Sequence, residues 1–317
     1  MKVYVMSEEK GIVLAFLTAL ISGASVFVNG FVVKGFDPVV FTALKNLGAA
    51  IFLVGAIILL KERKKLSQLS SSQWKWLIAI GIIGGSIPFL MFFQGLSMIP
   101  AVKGSFLFRM LFIFSAVFAI FMLKEKPSRN TVIGAMIFLV GNAILIGQEN
   151  IFSFGLGELL VLLATIIWAF EYVLSKWVMQ KTGLEPRMVA FGRMFVGMLV
   201  LAGYLGAVGK ISSIPSLSLI QWEWVAITSV FLFLFVSSWY AALKWAKAAT
   251  ATAILAMGGP ITTALNFLFL GKAPLMIDAL GLLLVVAGIS ILVGLPQMRS
   301  SASFAVNELK KLSAWKA

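Results

Sequence analysis

Long apolar runs alternate with short polar connections along the whole chain. Each run is solidly apolar and close to the ~20 residues that an α-helix needs to cross a bilayer, whereas the strands of a membrane barrel would be shorter and would alternate apolar with polar residues. The pattern therefore predicts an all-α integral membrane protein. The ten predicted spans, numbered in chain order, are 11–33, 39–60, 75–97, 104–123, 131–147, 157–179, 187–208, 222–244, 251–270 and 275–294.

The first of these runs has a second interpretation. Ser22-Gly23-Ala24 resembles the small-residue cleavage site of a signal peptide. However, the run is longer than the apolar region of such a peptide, and Glu8 and Glu9 precede it where a signal peptide is basic. We therefore interpret this run as a span.

Composition and charge agree with a membrane protein. Of the 317 residues, 61% are hydrophobic and 12% are charged, compared with roughly 45–50% and about 25% in soluble domains. A net charge of +14 would suggest a nucleic-acid partner in a soluble protein, but here the basic residues lie at the ends of the spans. Eighteen of them fall on the side of the N-terminus and four on the other side, namely Lys34, Lys103, Lys210 and Lys272. Because short cytoplasmic loops are enriched in Lys and Arg, we predict that both termini are cytoplasmic and that the lipid bilayer, not nucleic acid, is the partner.

The absence of two residue types limits the chemistry. The chain has no Cys and no His, so it lacks the side chains of thiol catalysis, disulfides and histidine metal sites. We expect no metal and no cofactor.

The two halves of the chain resemble each other. Residues 95–147 align without a gap on 242–294, at an offset of 147, and four Gly and Pro positions match: Pro127, Gly134, Gly141 and Gly147 fall on Pro274, Gly281, Gly288 and Gly294. The front of each half aligns at an offset of 146, and two extra residues in the second connecting loop bring Lys45 onto Arg193.

Each half contains five spans. Five is an odd number, so the second half enters the membrane from the opposite side, as an inverted-topology repeat. Such repeats build a site near the membrane midplane that is reached alternately from either face. The predicted organisation is a first five-helix repeat over 1–150, a second, inverted repeat over 151–295 and a cytoplasmic tail over 296–317, in which 303–317 has the pattern of a short interfacial helix.

These features resemble the EamA-type members of the drug/metabolite transporter superfamily, and the resemblance covers 11–294. A basic residue commonly lies in the second helix of each half in that family, and Lys45 and Arg193 match it. The Gly-Glu signature that commonly follows the fourth helix is matched by Leu123-Lys124-Glu125-Lys126-Pro127, whereas Lys272 replaces the acid in the second copy. The resemblance implies a transporter of the plasma membrane that moves small metabolites, mostly by exporting amino acids.

Polar residues on spans 1 and 6 share one helix face. In span 1 they are spaced by four, three and four residues, which places them on one stripe, and their repeat partners in span 6 are larger. Ser and Thr also serve as small packing residues at helix contacts, but an acid deep within a span, such as Glu171, normally faces a cavity or a partner. The stripe comprises Thr18, Ser22, Ser25 and Asn29, and the span 6 residues are Ala164, Trp168, Glu171 and Ser175, with Tyr172 beside them.

Arg109 lies within span 4, where an arginine costs roughly 2.5–3.5 kcal/mol on insertion scales. It belongs to a face that also contains Ser105 and Phe112, and the matching face of span 9 is small and polar, with Thr252, Thr263 and Asn266. We therefore predict that Arg109 lines an aqueous cavity. The alternative is that its side chain reaches the nearby membrane interface.

The buried charges point to the substrate. Glu171 and Arg193 are predicted to form an ion pair, whereas Lys45 and Arg109 have no obvious buried acid, and this excess of positive charge suits a carboxylate. Together with the ring faces of Trp168 and Tyr172, it favours a small-molecule substrate such as an amino acid. The candidate cavity-lining residues are Ser25, Asn29, Lys45, Arg109, Trp168, Glu171, Tyr172, Arg193, Thr263 and Asn266.

Three other functions are weighed against amino-acid export. A membrane enzyme would need paired carboxylates, metal ligands or an activated nucleophile, which the chain lacks, so we expect no enzymatic activity. A cationic drug exporter would depend on Glu171 alone as counter-charge, and a sugar-phosphate or nucleotide-sugar antiporter would require clustered basic residues. Glu171 is the only mid-span acid and hence the obvious carrier of protons, but an arginine partner would hold it charged. We therefore favour facilitated or weakly proton-linked transport.

Overall fold

The fold is that of a helical bundle, described by a computed structural model over residues 2–32, 36–146, 154–271 and 275–314. All regular secondary structure within these ranges is helical. Some residues used in the charge count and in the repeat alignment lie outside the described residues, namely Lys34, Gly147, Lys272 and Pro274. The last residues of the tail also lie outside them.

The helices of the first half agree with the predicted spans, but spans 3 and 4 are each interrupted. Their bounds are α1 Lys2–Val32 (span 1), α2 Pro38–Leu59 (span 2), α3 Arg63–Ser67 in the following loop, α4 Ser71–Gly85 and α5 Ile87–Leu96 (span 3), α6 Ala101–Arg109 and α7 Leu111–Leu123 (span 4), and α8 Arg129–Ile146 (span 5).

In the second half only span 9 is interrupted. A short 3-10 helix over Lys210–Ser216 precedes span 8, and a final helix packs against span 1. The bounds are α9 Leu156–Thr182 (span 6), α10 Pro186–Ala207 (span 7), α11 Leu219–Trp245 (span 8), α12 Ala248–Leu255 and α13 Gly258–Leu270 (span 9), α14 Met276–Val293 (span 10), and α15 Leu295–Ala314 in the tail.

Within the described residues, nine helices are long and apolar enough to cross a membrane. The remaining predicted span is represented by a shorter apolar helix over Arg129–Leu145. The predicted tail helix also begins earlier than expected, because the chain turns at Gly294 (φ 87°) and re-enters a helix at once.

The repeat is visible in the helix boundaries. α7 and α13 begin and end at positions that differ by 147, and so do α8 and α14. The residue after α7 is Lys124 (φ 56°) and the residue after α13 is Gly271 (φ 64°), so both repeats end this helix with the same left-handed residue. The conformation is the usual end of a helix and favours glycine, yet the first repeat carries a lysine there.

The interruption of span 3 follows from a difference between the repeats. Ser70 and Gln73 form a capping box at the start of α4, and Ser218 and Gln221 form the matching one at the start of α11, at an offset of 148. Further along the spans the offset is 147, so span 3 contains one residue more than span 8. The helix breaks at Ser86 (φ −138°, ψ −69°), whereas α11 continues without a break.

Four repeat-related glycines bring spans 5 and 10 into backbone contact. A Cβ on Gly288 would lie 2.7 Å from the carbonyl oxygen of Gly134, and a Cβ on Gly141 would lie 2.7 Å from that of Gly281. Small residues allow helices in membranes to pack this closely. The matched glycines that reveal the repeat in the sequence therefore form one of the contacts between its two halves.

This contact predicts the effect of adding one methyl group. Gly288→Ala is expected to lower the free energy of unfolding by about 1–3 kcal/mol, because the new Cβ has only backbone to displace. Gly55→Ala is the matched control: nothing lies within 4 Å of a Cβ at this position, so the change should stabilise the helix by roughly 0.5–1 kcal/mol. Thermal unfolding of the purified variants in detergent measures both effects, and equal shifts would contradict the close contact.

Candidate functional site

Two adjoining cavities lie within the bundle, and we call them the two lobes of the candidate site. The larger lobe has a volume of about 400 Å³ and the smaller lobe about 210 Å³. Ser22, Ser105 and Phe108 line both lobes, so the lobes are direct neighbours. A cavity of this size holds a small metabolite.

The structure brings most of the predicted site residues to this cavity. Arg109 and Thr263 line the smaller lobe, whereas Glu171 and Asn266 line neither lobe. Glu171 instead lies in the protein interior with no exposed surface, which differs from the expectation that it would face a substrate. The larger lobe is lined by Ser25, Asn29, Lys45, Trp168, Tyr172 and Arg193.

The break in span 3 explains how two of these residues are held. Pro88 has no backbone N–H, so the carbonyl of Gly84 lacks the partner that a continuous helix would supply. Trp168 Nε1 donates to this carbonyl at 3.0 Å, and Arg193 Nη2 donates to it at 3.2 Å. Asn46 Nδ2 donates to the next carbonyl, that of Gly85, at 3.4 Å. Residues of spans 2, 6 and 7 thus converge on the interrupted helix.

The predicted ion pair between Glu171 and Arg193 is confirmed. Arg193 Nε and Glu171 Oε2 are 3.7 Å apart, and both side chains are buried. Glu171 Oε1 accepts hydrogen bonds from Ser175 Oγ at 2.6 Å and Tyr240 Oη at 2.7 Å. Gly84 makes room for the carboxylate, since a Cβ there would lie 2.6 Å from Glu171 Cδ. Protein groups thus donate hydrogen bonds to Glu171 Oε1, whereas Oε2 has no hydrogen-bond partner among the described residues and is compensated by the charge of Arg193.

Aromatic rings form much of the larger lobe. Trp168 makes edge contacts with Phe89, Phe92 and Phe108, with ring centroids 5.0 to 5.7 Å apart. The guanidinium of Arg193 lies 5.5 Å from the ring centroid of Tyr172, a distance at which a cation is attracted to the ring face. This wall offers apolar surface with a few polar groups, as small-molecule sites usually do.

Lys45 is the basic residue of the larger lobe that lacks a counter-charge. Its side chain is buried, and its ammonium lies 5.3 Å from the ring centroid of Phe41. Among the described residues no acid lies within ion-pair distance of it. The repeat explains the difference from Arg193, because Ser25 stands where the second half has Glu171.

Some functional groups were not predicted from the sequence. Asn142 accepts a hydrogen bond from Arg109 Nη1 at 2.8 Å, a contact that the spacing of residues did not indicate. Phe89 and Phe92 were indistinguishable from other apolar residues of span 3. The sequence Gly84-Gly85-Ser86-Ile87-Pro88 was the available signal, since glycine and proline mark helix breaks.

The larger lobe extends towards one face of the bundle. It is lined by Asn29, Leu96 and Ser105, which lie near the ends of spans 1 and 3 and the beginning of span 4. We call this side the opposite face, and the side on which α2 ends and α12 begins the terminal face. Between the cavity and the terminal face, a packed core of Ala119, Val173 and Ala248, all without exposed surface, joins spans 4, 6 and 9.

Ion pairs hold the loops of the terminal face. Glu125 accepts hydrogen bonds from the backbone N–H of Ala248 at 3.0 and 3.1 Å and lies 3.4 Å from Lys176 Nζ, which also donates to the carbonyl of Ala246. Elsewhere on this face Glu62 bonds to Lys65 and Arg187. Partial burial acts against ionisation of Glu62, but these two cations outweigh it and lower the pKa of the carboxyl.

Comparisons with known proteins identify the family. Residues 9–147 and 155–294 each match the model of the EamA-like transporter family. An uncharacterized transporter from Clostridium kluyveri is 25% identical over 281 residues, which are 83% of this chain and 85% of the relative. The uncharacterized transporter YyaM from Bacillus subtilis is 23% identical over 278 residues, 86% of this chain and 89% of the relative. A solved structure, titled only as the crystal structure of a protein, superposes with a TM-score of 0.74 at 17% identity and covers 89% of this chain and 96% of its own, which shows a shared fold.

The chain belongs to the EamA-like transporter family, and its two matches to the family model coincide with the two repeats. It is a multi-pass membrane transporter, which fits the drug/metabolite transporter superfamily. Membership and the names of the relatives indicate a transporter.

The Glu171–Arg193 pair predicts a strongly non-additive double mutant. Glu171→Gln or Arg193→Gln alone should lower the free energy of unfolding by about 3–5 kcal/mol, because each leaves a buried charge without its partner. The double variant should lose less than the sum of the two. Tyr240→Phe is the control, since it removes one hydrogen bond and should cost about 1 kcal/mol. Unfolding in detergent measures all four variants, and additive losses would show that the two charges do not compensate each other.

Proposed function

We propose that this transporter moves a small metabolite that carries a carboxylate, foremost an amino acid, through the central cavity. The observation that carries the proposal is Lys45, a buried cation on an aromatic cavity wall with no acidic partner among the described residues. A charge in such surroundings is stabilised by an opposite charge, and the carboxylate of a substrate would supply it. The rings of Phe89, Phe92 and Trp168 would receive an apolar or aromatic side chain.

The structure makes the two rival substrate classes less favourable. A cationic drug would need Glu171, but this carboxylate is bonded to Ser175, Tyr240 and Arg193 and does not line the cavity. A sugar phosphate would need several basic groups around one dianion, whereas Lys45 and Arg109 line different lobes. Both classes remain as outcomes of the experiment below.

We further propose ten membrane spans in the plasma membrane, with both termini cytoplasmic. The excess of Lys and Arg on the side of the N-terminus supports this orientation. The terminal face is then cytoplasmic, and the cavity of this structure faces the outside. The direction of transport, export, is drawn from the family resemblance. We propose facilitated transport because the arginine partner of Glu171 favours the charged carboxylate and so disfavours its use as a proton carrier.

A counterflow experiment in proteoliposomes tests the substrate. Labelled phenylalanine is expected to exchange, whereas a labelled sugar phosphate and tetraphenylphosphonium are not. Lys45→Gln should reduce phenylalanine exchange roughly tenfold to a hundredfold, since a hydrogen-bonded charge contributes about 1.5–3 kcal/mol. Lys45→Arg is the matched control, which retains the charge and should retain most of the exchange.

Two results would contradict these proposals. Exchange of the organic cation alone, retained in Lys45→Gln and lost in Glu171→Ala, would establish a drug exporter instead. Uptake that depends strongly on an imposed pH gradient, and that loses this dependence in Glu171→Gln, would establish proton coupling.

Alternating access would require the terminal face to open. We propose that Glu125 acts as a latch that keeps this face closed, because it joins the loop after span 4 to the start of span 9 and to Lys176 of span 6. A carboxylate at a helix N-terminus is favoured by the helix dipole. The repeat partner of Glu125 is Lys272, and its positive charge is unsuited to capping the start of a helix. An acid at this position is therefore a feature of the first repeat and not of the second.

Cysteine labelling tests the latch in this naturally cysteine-free chain. Val173→Cys lies in the packed core below the cavity and should react slowly with a water-soluble maleimide, whereas Ser105→Cys at the opposite face should react fast. Adding Glu125→Gln should speed labelling at 173 by about tenfold, because it removes about 1.4 kcal/mol of stabilisation of the closed state, and it should slow labelling at 105. Glu62→Gln removes a different ion pair of the same face and should change neither rate. Unchanged labelling at both sites in Glu125→Gln would refute the latch.

A further inference from the structure

Arg109 gives the smaller lobe a basic group of its own. Its Nη1 donates to Asn142 Oδ1 at 2.8 Å, and in the described part of the chain this is its only hydrogen bond. No acid of those residues lies within ion-pair distance. A guanidinium has several N–H donors in a fixed fork, so most of its donors are left for water or a ligand.

The surroundings of Arg109 are built to hold a guanidinium. Gly259 of span 9 lies directly beside it, and a Cβ at this position would be 2.6 Å from Arg109 Nη2 and 3.2 Å from Nε. The absence of a side chain therefore makes room for the guanidinium against the helix. Ser105 and Thr263 add hydroxyl groups to the same lobe. This is a cation held in place by packing and by Asn142, with its remaining donors available.

The two unpaired cations belong to different lobes. Lys45 lines only the larger lobe and Arg109 only the smaller one, and Ser22, Ser105 and Phe108 line both lobes. A molecule that occupies both lobes would place one end at each cation. The apolar surface between them, including Phe235, would receive an apolar spacer.

We infer that the smaller lobe is a second anion subsite, so that the preferred substrate carries two carboxylates, one bound at Lys45 and one at Arg109. This inference rests on the proposed function. A substrate with one carboxylate would neutralise Lys45 and leave Arg109 without a counter-charge, whereas two carboxylates neutralise both cations. Glu171 does not repel the second carboxylate, because it lies outside the cavity lining and is paired with Arg193. The fork of Arg109 matches a carboxylate in two-point geometry.

Matched pairs of substrates test the number of carboxylates. Counterflow is measured for a graded series of α,ω-dicarboxylates and the monocarboxylates of equal chain length, and for glutamate against glutamine. In the wild-type protein the best dicarboxylate is expected to exchange at least about tenfold better than its monocarboxylate. Arg109→Gln should bring this ratio close to one while monocarboxylate exchange persists. Arg109→Lys should give an intermediate ratio, because it keeps the charge and loses the fork.

Gly259→Ala provides a variant that retains Arg109. The added methyl group should displace the guanidinium and reduce the dicarboxylate preference, with monocarboxylate exchange retained as the sign of a folded protein. A preference that is unchanged in Arg109→Gln, or a wild-type protein without any preference, would overturn the second subsite and leave the proposed function standing. Failure of the wild-type protein to exchange any carboxylate, with exchange of the organic cation, would overturn the proposed function itself.

A labelling experiment keeps the inference testable if Arg109→Gln does not fold. Thr263→Cys places one thiol in the smaller lobe of an otherwise intact chain. A dicarboxylate should slow its reaction with a water-soluble maleimide severalfold, and the matched monocarboxylate should not. Equal protection by both ligands, or protection by neither, would contradict binding of a second carboxylate in this lobe.

Discussion

The free carbonyl groups of span 3 are the constraint on which the cavity depends. Inside a membrane no bulk water is available, so each backbone group that leaves a helix ladder needs another partner. The break at Ser86 and the proline at position 88 release the carbonyls of Gly84 and Gly85. Trp168, Arg193 and Asn46 satisfy them. This requirement holds residues of both repeats against one helix, among them the cavity residues Trp168 and Arg193.

This arrangement also determines where charge is available to a substrate. Arg193 is bound to the broken helix and to Glu171, so neither member of that pair is free. Lys45 is the repeat partner of Arg193, but it lacks both of these partners. Span 8, which corresponds to span 3, is a continuous helix at the corresponding level and has no unpaired carbonyl there, and Ser25 stands in the place of Glu171. One basic residue of the repeat has thus become a structural bridge, and the other faces the cavity with its charge uncompensated.

The sequence was sufficient for the parts of the structure that depend on period and composition. Long apolar runs predicted most helix ends within a few residues, although α1 begins at Lys2, well before the predicted start at 11. The spacing of Gly and Pro predicted the repeat, and the pair of Glu171 and Arg193 followed from depth and from the short loop between spans 6 and 7. The sequence could not show that Glu171 is turned away from the cavity while Arg193 lines it, because that depends on Gly84, whose missing side chain admits the carboxylate. The contact between Arg109 and Asn142 depends on how spans 4 and 5 are rotated about their own axes. The spacing of residues along the chain does not determine that rotation.

The differences between the repeats carry as much information as their similarity. Two identical halves would make the two faces of the bundle equivalent, and neither would be preferred as the open one. In this chain the extra residue in span 3, the serine in place of Glu171 and the lysine in place of Glu125 all break that equivalence. The first two changes affect the binding site and the third affects the terminal face. Because a ligand shifts an equilibrium between two states only by its difference in affinity for them, charges that differ between the repeats allow one substrate to be bound more strongly in one state than in the other.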